Sequence, residues 1–490
     1  MRLHAKTNTA LSEDIFSPVF CEIPYELPRK IYQKLKAKNS CLLESHKGSE
    51  HIAQYSFIGI EPYLIFSVKD RVVEIEFDGK KTISTRNPLE RLRELVFSYQ
   101  QKPMRDLPPF QGGALGMLSY DFVRYLERIP KTTMDDLKIP DAHFIMVDRL
   151  IAFDHIKKKS WILVCPGVRS TALGYSTLTK KKEHYIEDAN SVLEAIHKKV
   201  TAAKTDAGDG KAGMANVALT YETEKAEYMT MVEKAKEYIA AGDIYQANLS
   251  LRISADIGHT DPWKIYTILS DINPSPFASY VDFGDYQIAS SSPERLVRVR
   301  NNIVDTRPIA GTRPRGRDVH QDEKMRSELL LNEKERAEHI MLIDLERNDL
   351  GKVSDYGTVN VNELMTTEDY SHVIHIVSNV QGELVQGKDC FHVIKSVFPG
   401  GTITGVPKVR CMEIIDELEK TSRGPYTGSI GYIGFNGDMD MNIIIRTFLV
   451  KQGRAYMQAG AGIVADSDPE REYYESLKKA EALMRTLEYL

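Results

Sequence analysis

Strand-like runs in this 490-residue chain come in consecutive groups bounded by helical stretches, instead of alternating with helices one for one. That grouping favours an α+β fold built on antiparallel sheets over a doubly wound parallel sheet. Toward the N-terminus the β-favouring runs are 63–68, 72–77, 142–153 and 160–164, with 88–99 reading as helix. Further on, helices are predicted at 222–241, 263–273, 325–349, 412–419 and 469–487, and strands at 244–253, 358–365, 429–435, 442–450 and 455–458. Residues 277–283 and 286–290 read as a hairpin. No period of about 20–50 residues recurs, which excludes a solenoid. Between these groups, residues 201–217 are small and polar with three glycines, and they read as a flexible loop or linker. The loop separates an N-terminal segment, 1–200, from a second segment, 218–490.

Two acidic doublets stand out in the second segment: Glu335/Glu338 and Glu472/Glu475, each on a predicted helix. Residues three apart share a helix face, so each doublet aims two carboxylates the same way. Four carboxylates converging on one point would need a cation to offset their desolvation. Hard oxygen ligands suit Mg²⁺, with substrate oxygens and waters completing its shell. The glycine-rich turns at 399–402 and 460–462 would let backbone N–H groups approach an anion closely. A magnesium-dependent enzyme acting on a small carboxylate is the expectation, against the plainer one of two solvated helix faces.

Composition narrows the field by exclusion. Forty-two per cent hydrophobic and 27% charged residues describe an ordinary globular protein. A net charge of −5 with only short lysine runs argues against nucleic-acid binding. Five scattered cysteines without a C-x-x-C pair fit neither a disulfide framework nor a zinc site, and suit a reducing cytoplasm. No apolar stretch approaches the roughly 18 residues of a membrane span, and the first residues carry no apolar core of signal-peptide length. Neither G-x-G-x-x-G after a strand nor a phosphate-binding G-x-x-x-x-G-K-[ST] occurs, so no nucleotide is expected.

Longer strings are more specific. Gly-Asp-Ile-Tyr-Gln-Ala-Asn-Leu-Ser (242–250), Thr-Arg-Pro-Ile-Ala-Gly-Thr-Arg-Pro-Arg-Gly (306–316), Asp-Leu-Glu-Arg-Asn-Asp-Leu (344–350), Pro-Gly-Gly-Thr-Ile-Thr-Gly-Val-Pro-Lys (399–408) and Gln-Ala-Gly-Ala-Gly-Ile-Val-Ala-Asp-Ser (458–467) resemble the chorismate-utilising enzymes. The resemblance runs from about residue 221 to the end, and reaches the N-terminal segment through 42–45 and 110–113. It implies one large domain of two facing antiparallel sheets with helices outside and the active site between the layers.

Carried onto these positions, the resemblance makes Glu338 and Glu475 magnesium ligands, with Glu335 and Glu472 engaging the metal through water. Arg446, placed in a strand, and Tyr426 would hold the enolpyruvyl carboxylate of chorismate, a planar guanidinium suiting a bidentate anion. Gly460, Ala461 and Gly462 would add backbone donors, and Gly311, Thr312 and Thr402 further substrate contacts. Lys479 would neutralise part of the acidic cluster. His375 would act near the ring, as general acid or in later proton removal.

Two positions bear on the product. Gln246 stands where water-using relatives carry a lysine base; a neutral amide cannot activate water, whereas ammonia needs no such base. Ala310 stands where many enzymes making 4-amino-4-deoxychorismate, for 4-aminobenzoate and folate synthesis, carry a nucleophilic lysine. It matches the anthranilate-forming branch. The strings at 246–250, 400–405 and 369–384 resemble the 4-amino-4-deoxychorismate branch instead, and the expectation leans there. A non-catalytic chorismate-binding subunit is the alternative of another class; the intact carboxylates and Arg446 weigh against it. No Gly-x-Cys-x-Gly nucleophile turn occurs, so a separate glutamine amidotransferase subunit is expected to supply ammonia. Leu43, Glu44, Ser45, Pro274, Ser275 and Phe277 resemble the tryptophan pocket of relatives, beside the plainer alternative of packing under a Pro-Ser-Pro turn.

Overall fold

The computed structural model describes residues 15–46, 52–172, 181–202, 217–369 and 373–490, apart from the side chains of residues 312, 314, 319 and 373. The expected linker therefore lies almost wholly outside the described residues, as do residues 1–14. Among the described residues the strands form two sheets of twelve, and every pairing between named strands is antiparallel.

Both sheets take strands from either side of residues 203–216. In the first, Ser40–Glu44 lies beside Phe277–Asp282; in the second, Gly113–Leu118 lies beside Ser429–Gly434. The two segments thus complete each other's sheets and form one domain. Phe57, Leu150 and Ile288 from the first sheet join Leu115, Ile145 and Ile430 from the second in one buried cluster. Strands buried on both faces, such as Ala142–Val147, read as unbroken apolar runs for that reason.

The elements that build the site are, in chain order, β1 (Gln246–Asp256), β2 (Tyr286–Ser292), β3 (Arg295–Arg300), β4 (Ile309–Pro314), α1 (Glu333–Gly351), β5 (Val373–Glu383), α2 (Lys408–Leu418), β6 (Ser429–Gly434), β7 (Met439–Ile443), β8 (Thr447–Lys451), β9 (Arg454–Ile463) and α3 (Pro469–Glu488). The first sheet contains β2–β8–β9–β1 as neighbours; the second contains β4–β5 at one edge and β3–β7–β6 near its centre.

Three predicted elements divide. The run 142–153 becomes Ala142–Val147 in the second sheet and Arg149–Asp154 in the first. The run 442–450 likewise splits into β7 and β8, which belong to different sheets. The helix 325–349 breaks at Asn332, whose side chain accepts a bond from Glu335 N at 3.0 Å and so caps α1. Helix α3 starts at Pro469, with Asp468 as its cap, and buries Tyr473, Ser476, Ala480, Leu483 and Leu487 in a three–four repeat. Among the described residues no helix is long and apolar enough to cross a membrane.

Candidate active site

Two crossings between the sheets form one wall. The link from β2 to β3 carries Glu294, and the link from β7 to β8 carries Arg446, which is therefore at a kink and not within a strand. The links hydrogen-bond each other: Ile443 N donates to Glu294 O (3.0 Å), and Ser291 N donates to Arg446 O (3.1 Å). The turn holding Tyr426 is attached to the second link through Thr427 N to Ile444 O (2.8 Å) and Ile444 N to Gly428 O (2.9 Å). Arg446 and Thr427 have φ of 51° and 60°. Left-handed backbone in non-glycine residues costs about 1–3 kcal/mol each and persists where surrounding structure fixes it.

Burial pushes the Glu294 carboxyl up to about 7, although the charges of Arg446 and Lys479 pull it back. The Thr402 hydroxyl is near enough to favour its ionised form, but not in good hydrogen-bond geometry. Below about pH 7 Glu294 is therefore a buried proton donor. His375, on β5, is pushed down to about 3 by burial and then by Arg446, so it is neutral at pH 7. Its Nδ1 lies 3.3 Å from the Gly311 carbonyl oxygen, which places the ring proton on that nitrogen. Glu294 is thus the better general acid, and it was not among the sequence-predicted site residues. Its signal was the string Ser-Ser-Ser-Pro-Glu-Arg (290–295), which reads as a turn between strands.

Glycines bring the opposite wall close. Gly311 lies at a bulge between Ala310↔Ile376 and Thr312↔His375, with φ 61°. A Cβ there would meet Glu335 Oε2 at 2.5 Å. The side chain of Thr312 falls outside what the structure describes. On β9, Gly460, Ala461 and Gly462 pair with Ser250, Leu249 and Asn248, and the β8 pairing of β9 ends at Met457. A Cβ on Gly462 would meet Gln246 Nε2 at 2.2 Å, and that nitrogen donates to Glu338 Oε1 at 2.9 Å.

The two doublets do not close round one point as sequence spacing suggested. Among the described residues, no three acidic, histidine or cysteine side chains are grouped to hold a metal. Like charges keep apart, and three of the four carboxylates have a nearer partner. Glu335 Oε1 accepts from Arg313 Nη1 (2.6 Å), Glu338 from Gln246, and Glu475 from Lys479 (2.9 Å). Lys479 also donates to the Gly460 carbonyl (3.1 Å), joining α3 to the glycine strand. Burial raises the Glu472 pKa and the charge of Glu475 adds to the rise, while Ser467, Lys479 and Lys334 oppose it. Lys334 pairs with Asp466 at 2.9 Å and also feels the charges of Glu338 and Glu472.

Gln246 Oε1, Asn248 Oδ1, Glu294 Oε1, Glu335 Oε2 and Thr402 Oγ1 are buried without a hydrogen-bond partner among the described residues. So many orphaned polar atoms in one neighbourhood indicate a ligand or ordered water. Asn248, whose Nδ2 donates to the Thr402 carbonyl at 3.3 Å, was missed from sequence. So was Glu346, buried on α1 and pushed up to about 8 by burial, with Asp349 and Glu294 adding to the rise.

The candidate tryptophan pocket is a separate cavity. Leu43, Glu44, Ser45 and Phe277 line it, with Pro276 in place of Pro274 and Ser275. Its volume is about 70 Å³, well short of the roughly 150 Å³ in which an engineered cavity holds benzene. Glu44 accepts from Tyr266 at 2.7 Å, and Ser45 donates to the Pro276 carbonyl at 2.7 Å, as a packed turn requires.

Comparison with known proteins agrees with this geometry. Residues 38–485 match the family model described as chorismate binding enzyme. The chain is 43% identical to anthranilate synthase component 1 of Acetivibrio thermocellus, over 96% of this chain and 95% of that protein. It is 44% identical to aminodeoxychorismate synthase component 1 of Bacillus subtilis, over 92% of each. Among solved structures, anthranilate synthase component I of Streptococcus pneumoniae superposes with a TM-score of 0.77 at 35% identity, covering 88% of this chain and 92% of that one. With two facing antiparallel sheets, an acid and an arginine on their paired crossings, and this breadth of similarity, the chain belongs to the chorismate binding enzyme family.

Proposed function

We propose that this chain aminates chorismate in a magnesium-dependent reaction, using ammonia from a separate glutamine amidotransferase subunit and forming 4-amino-4-deoxychorismate and water. The observation that carries it is the pairing of Glu294 and Arg446 on hydrogen-bonded crossings, a proton donor beside an anion receptor. Arg446 and Tyr426 would hold the enolpyruvyl carboxylate, with backbone donors of Gly460, Ala461 and Gly462 beside them. Glu294 would give its proton to the departing ring hydroxyl, which leaves as water. Neutral His375 would lie near the ring, and the incoming nitrogen would shed its extra proton to water, because an imidazole pushed down to about 3 is a poor base. Gln246 offers no base for water, which disfavours hydroxylation of the ring.

The acidic wall fits magnesium by the chemistry of its donors: hard oxygens, with Glu335 Oε2 orphaned. Held by Glu338 and Glu475, with Glu335 and Glu472 behind them through water, the ion would clamp the ring carboxylate and ease loss of the hydroxyl. Both relatives named above are called component 1, which supports a second subunit here. Tryptophan binding at 43–45 would require the small cavity to widen.

Ala310 favours a second reading, formation of anthranilate with pyruvate. It is buried beside the Gly311 bulge and offers no amine for a covalent link to the ring. The strings at 246–250 and 400–405 tip the choice toward 4-amino-4-deoxychorismate. Incubation with chorismate, Mg²⁺ and ammonium separates the two readings. 4-Aminobenzoate forming only when an aminodeoxychorismate lyase is added supports the first; anthranilate and pyruvate without lyase overturn it. Glutamine in place of ammonium should give no product until the amidotransferase is added.

A further inference from the structure

Arg423 lies in the connection between α2 and β6, almost completely buried, and all five of its N–H donors are used. Nε and Nη2 donate to Glu419 at 2.9 and 2.7 Å. Nη1 donates to the Ile403 carbonyl (3.1 Å) and to Thr427 Oγ1 (3.2 Å), and Nη2 also donates to the Asn248 carbonyl (2.6 Å). Glu419 in turn accepts from Ser250 N (2.9 Å) and Oγ (2.7 Å) on β1. The guanidinium lies 5.6 Å from the Tyr426 ring centre and 4.9 Å from that of Tyr120.

Each uncharged acceptor neighbours a residue of the site. Asn248 is two residues from Gln246, Ile403 follows Thr402, and Thr427 follows Tyr426. A buried ion pair is weak support for stability, because well-packed apolar side chains do as well or better. A rigid planar fork that satisfies three separate segments at fixed angles instead specifies their spacing.

We propose that Arg423 is a positioning residue that fixes the distances among Gln246, Thr402 and Tyr426, and so sets the fit of the carboxylate cradle without touching substrate. This rests on the reading of those three side chains as substrate-facing. Thr427 isolates the role, because its hydroxyl accepts from Arg423 and donates to the Tyr426 carbonyl at 2.6 Å.

The test compares wild type, T427V, T427S and R423K in chorismate consumption with Mg²⁺ and ammonium, with melting temperature measured alongside. T427V should raise the KM for chorismate about 3- to 10-fold, in keeping with loss of a buried hydrogen bond. T427S should restore it, and for both Thr427 variants the Mg²⁺ concentration for half activity should stay within about twofold. R423K should lower kcat/KM by about 30-fold or more. If R423K is insoluble, the Thr427 pair decides. A wild-type chain inert toward chorismate sinks the functional reading and the positioning role with it. An active wild type whose KM is shared by T427V and T427S, with only their melting temperatures differing, sinks the positioning role alone.

Discussion

Arg446 and Glu294 sit on backbone links that hydrogen-bond each other, whereas Glu335, Glu338, Glu472 and Glu475 sit on helices and meet the site through side chains alone. The first wall is set by the path of the chain between two sheets. Moving either group would break backbone bonds and relax the positive φ at Arg446. The second wall is set by charge balance, with Arg313, Gln246 and Lys479 each holding one carboxylate. A wall of the first kind recognises a fixed shape. One of the second kind can exchange its present partners for an ion, at the cost of a few hydrogen bonds. Substrate recognition is accordingly expected to be preorganised, and metal recognition to be adjustable.

The largest effect is expected on the rigid wall. Glu294→Gln should lower kcat by about 10²–10⁴-fold, the usual worth of a general acid, with KM for chorismate little changed. In the wild type, kcat at fixed free ammonia should fall as pH rises through about 7, where Glu294 loses its proton. Stability carries the same sign. The folded carboxyl is raised from 4.5 to about 7, so its contribution is full below 4.5 and is lost as pH rises through about 7. The melting-temperature advantage of Glu294→Gln over wild type should therefore grow between pH 5 and pH 8. A kcat unaffected by the substitution would remove Glu294 from the chemistry.

Arg446→Lys should reduce kcat/KM by roughly 10- to 100-fold, because an ammonium cannot bind a carboxylate in two places. A loss confined to kcat would contradict the assigned role. On the adjustable wall, Gly462→Ala displaces Gln246 from Glu338. Overpacking of this kind costs about 1–3 kcal/mol. Magnesium titration should show a shifted half-saturation, while KM for chorismate moves less. The smallest effect is expected at Lys479, which is half exposed. Lys479→Ala should change unfolding free energy by less than about 1 kcal/mol in a denaturant titration.

Much of this was legible in the sequence. The apolar stripe of α3 and the cap–proline start at Asp468-Pro469 are local signals, and they gave the helix nearly to its ends. The strings around Gln246, Gly311, Thr402 and Gly460 identified the strands and turns that converge, because glycines mark where backbones approach. The crossings between sheets were not legible. Residues 142–153 and 442–450 are apolar on both sides of each crossing, since strands in either sheet are buried on both faces. Periodicity therefore continues through the break, and the polar pairs Asp148-Arg149 and Arg446-Thr447 are its local marks. Glu294 was missed for the same reason, as its environment is created by the crossing and not by neighbours in sequence. The carboxylate doublets gave the helices but not the side-chain partners described here, because spacing fixes a shared face and says nothing of which cation each acid meets.

The most direct measurement is a crystal structure with Mg²⁺ and chorismate bound. Arg446, Tyr426 and the Glu294 backbone should remain within about 1 Å of their present positions, as preorganised sites do, while Glu338 and Glu475 turn from Gln246 and Lys479 to the ion. Displacement of the crossings with the acidic side chains unmoved, or an ion bound away from both doublets, would contradict the account.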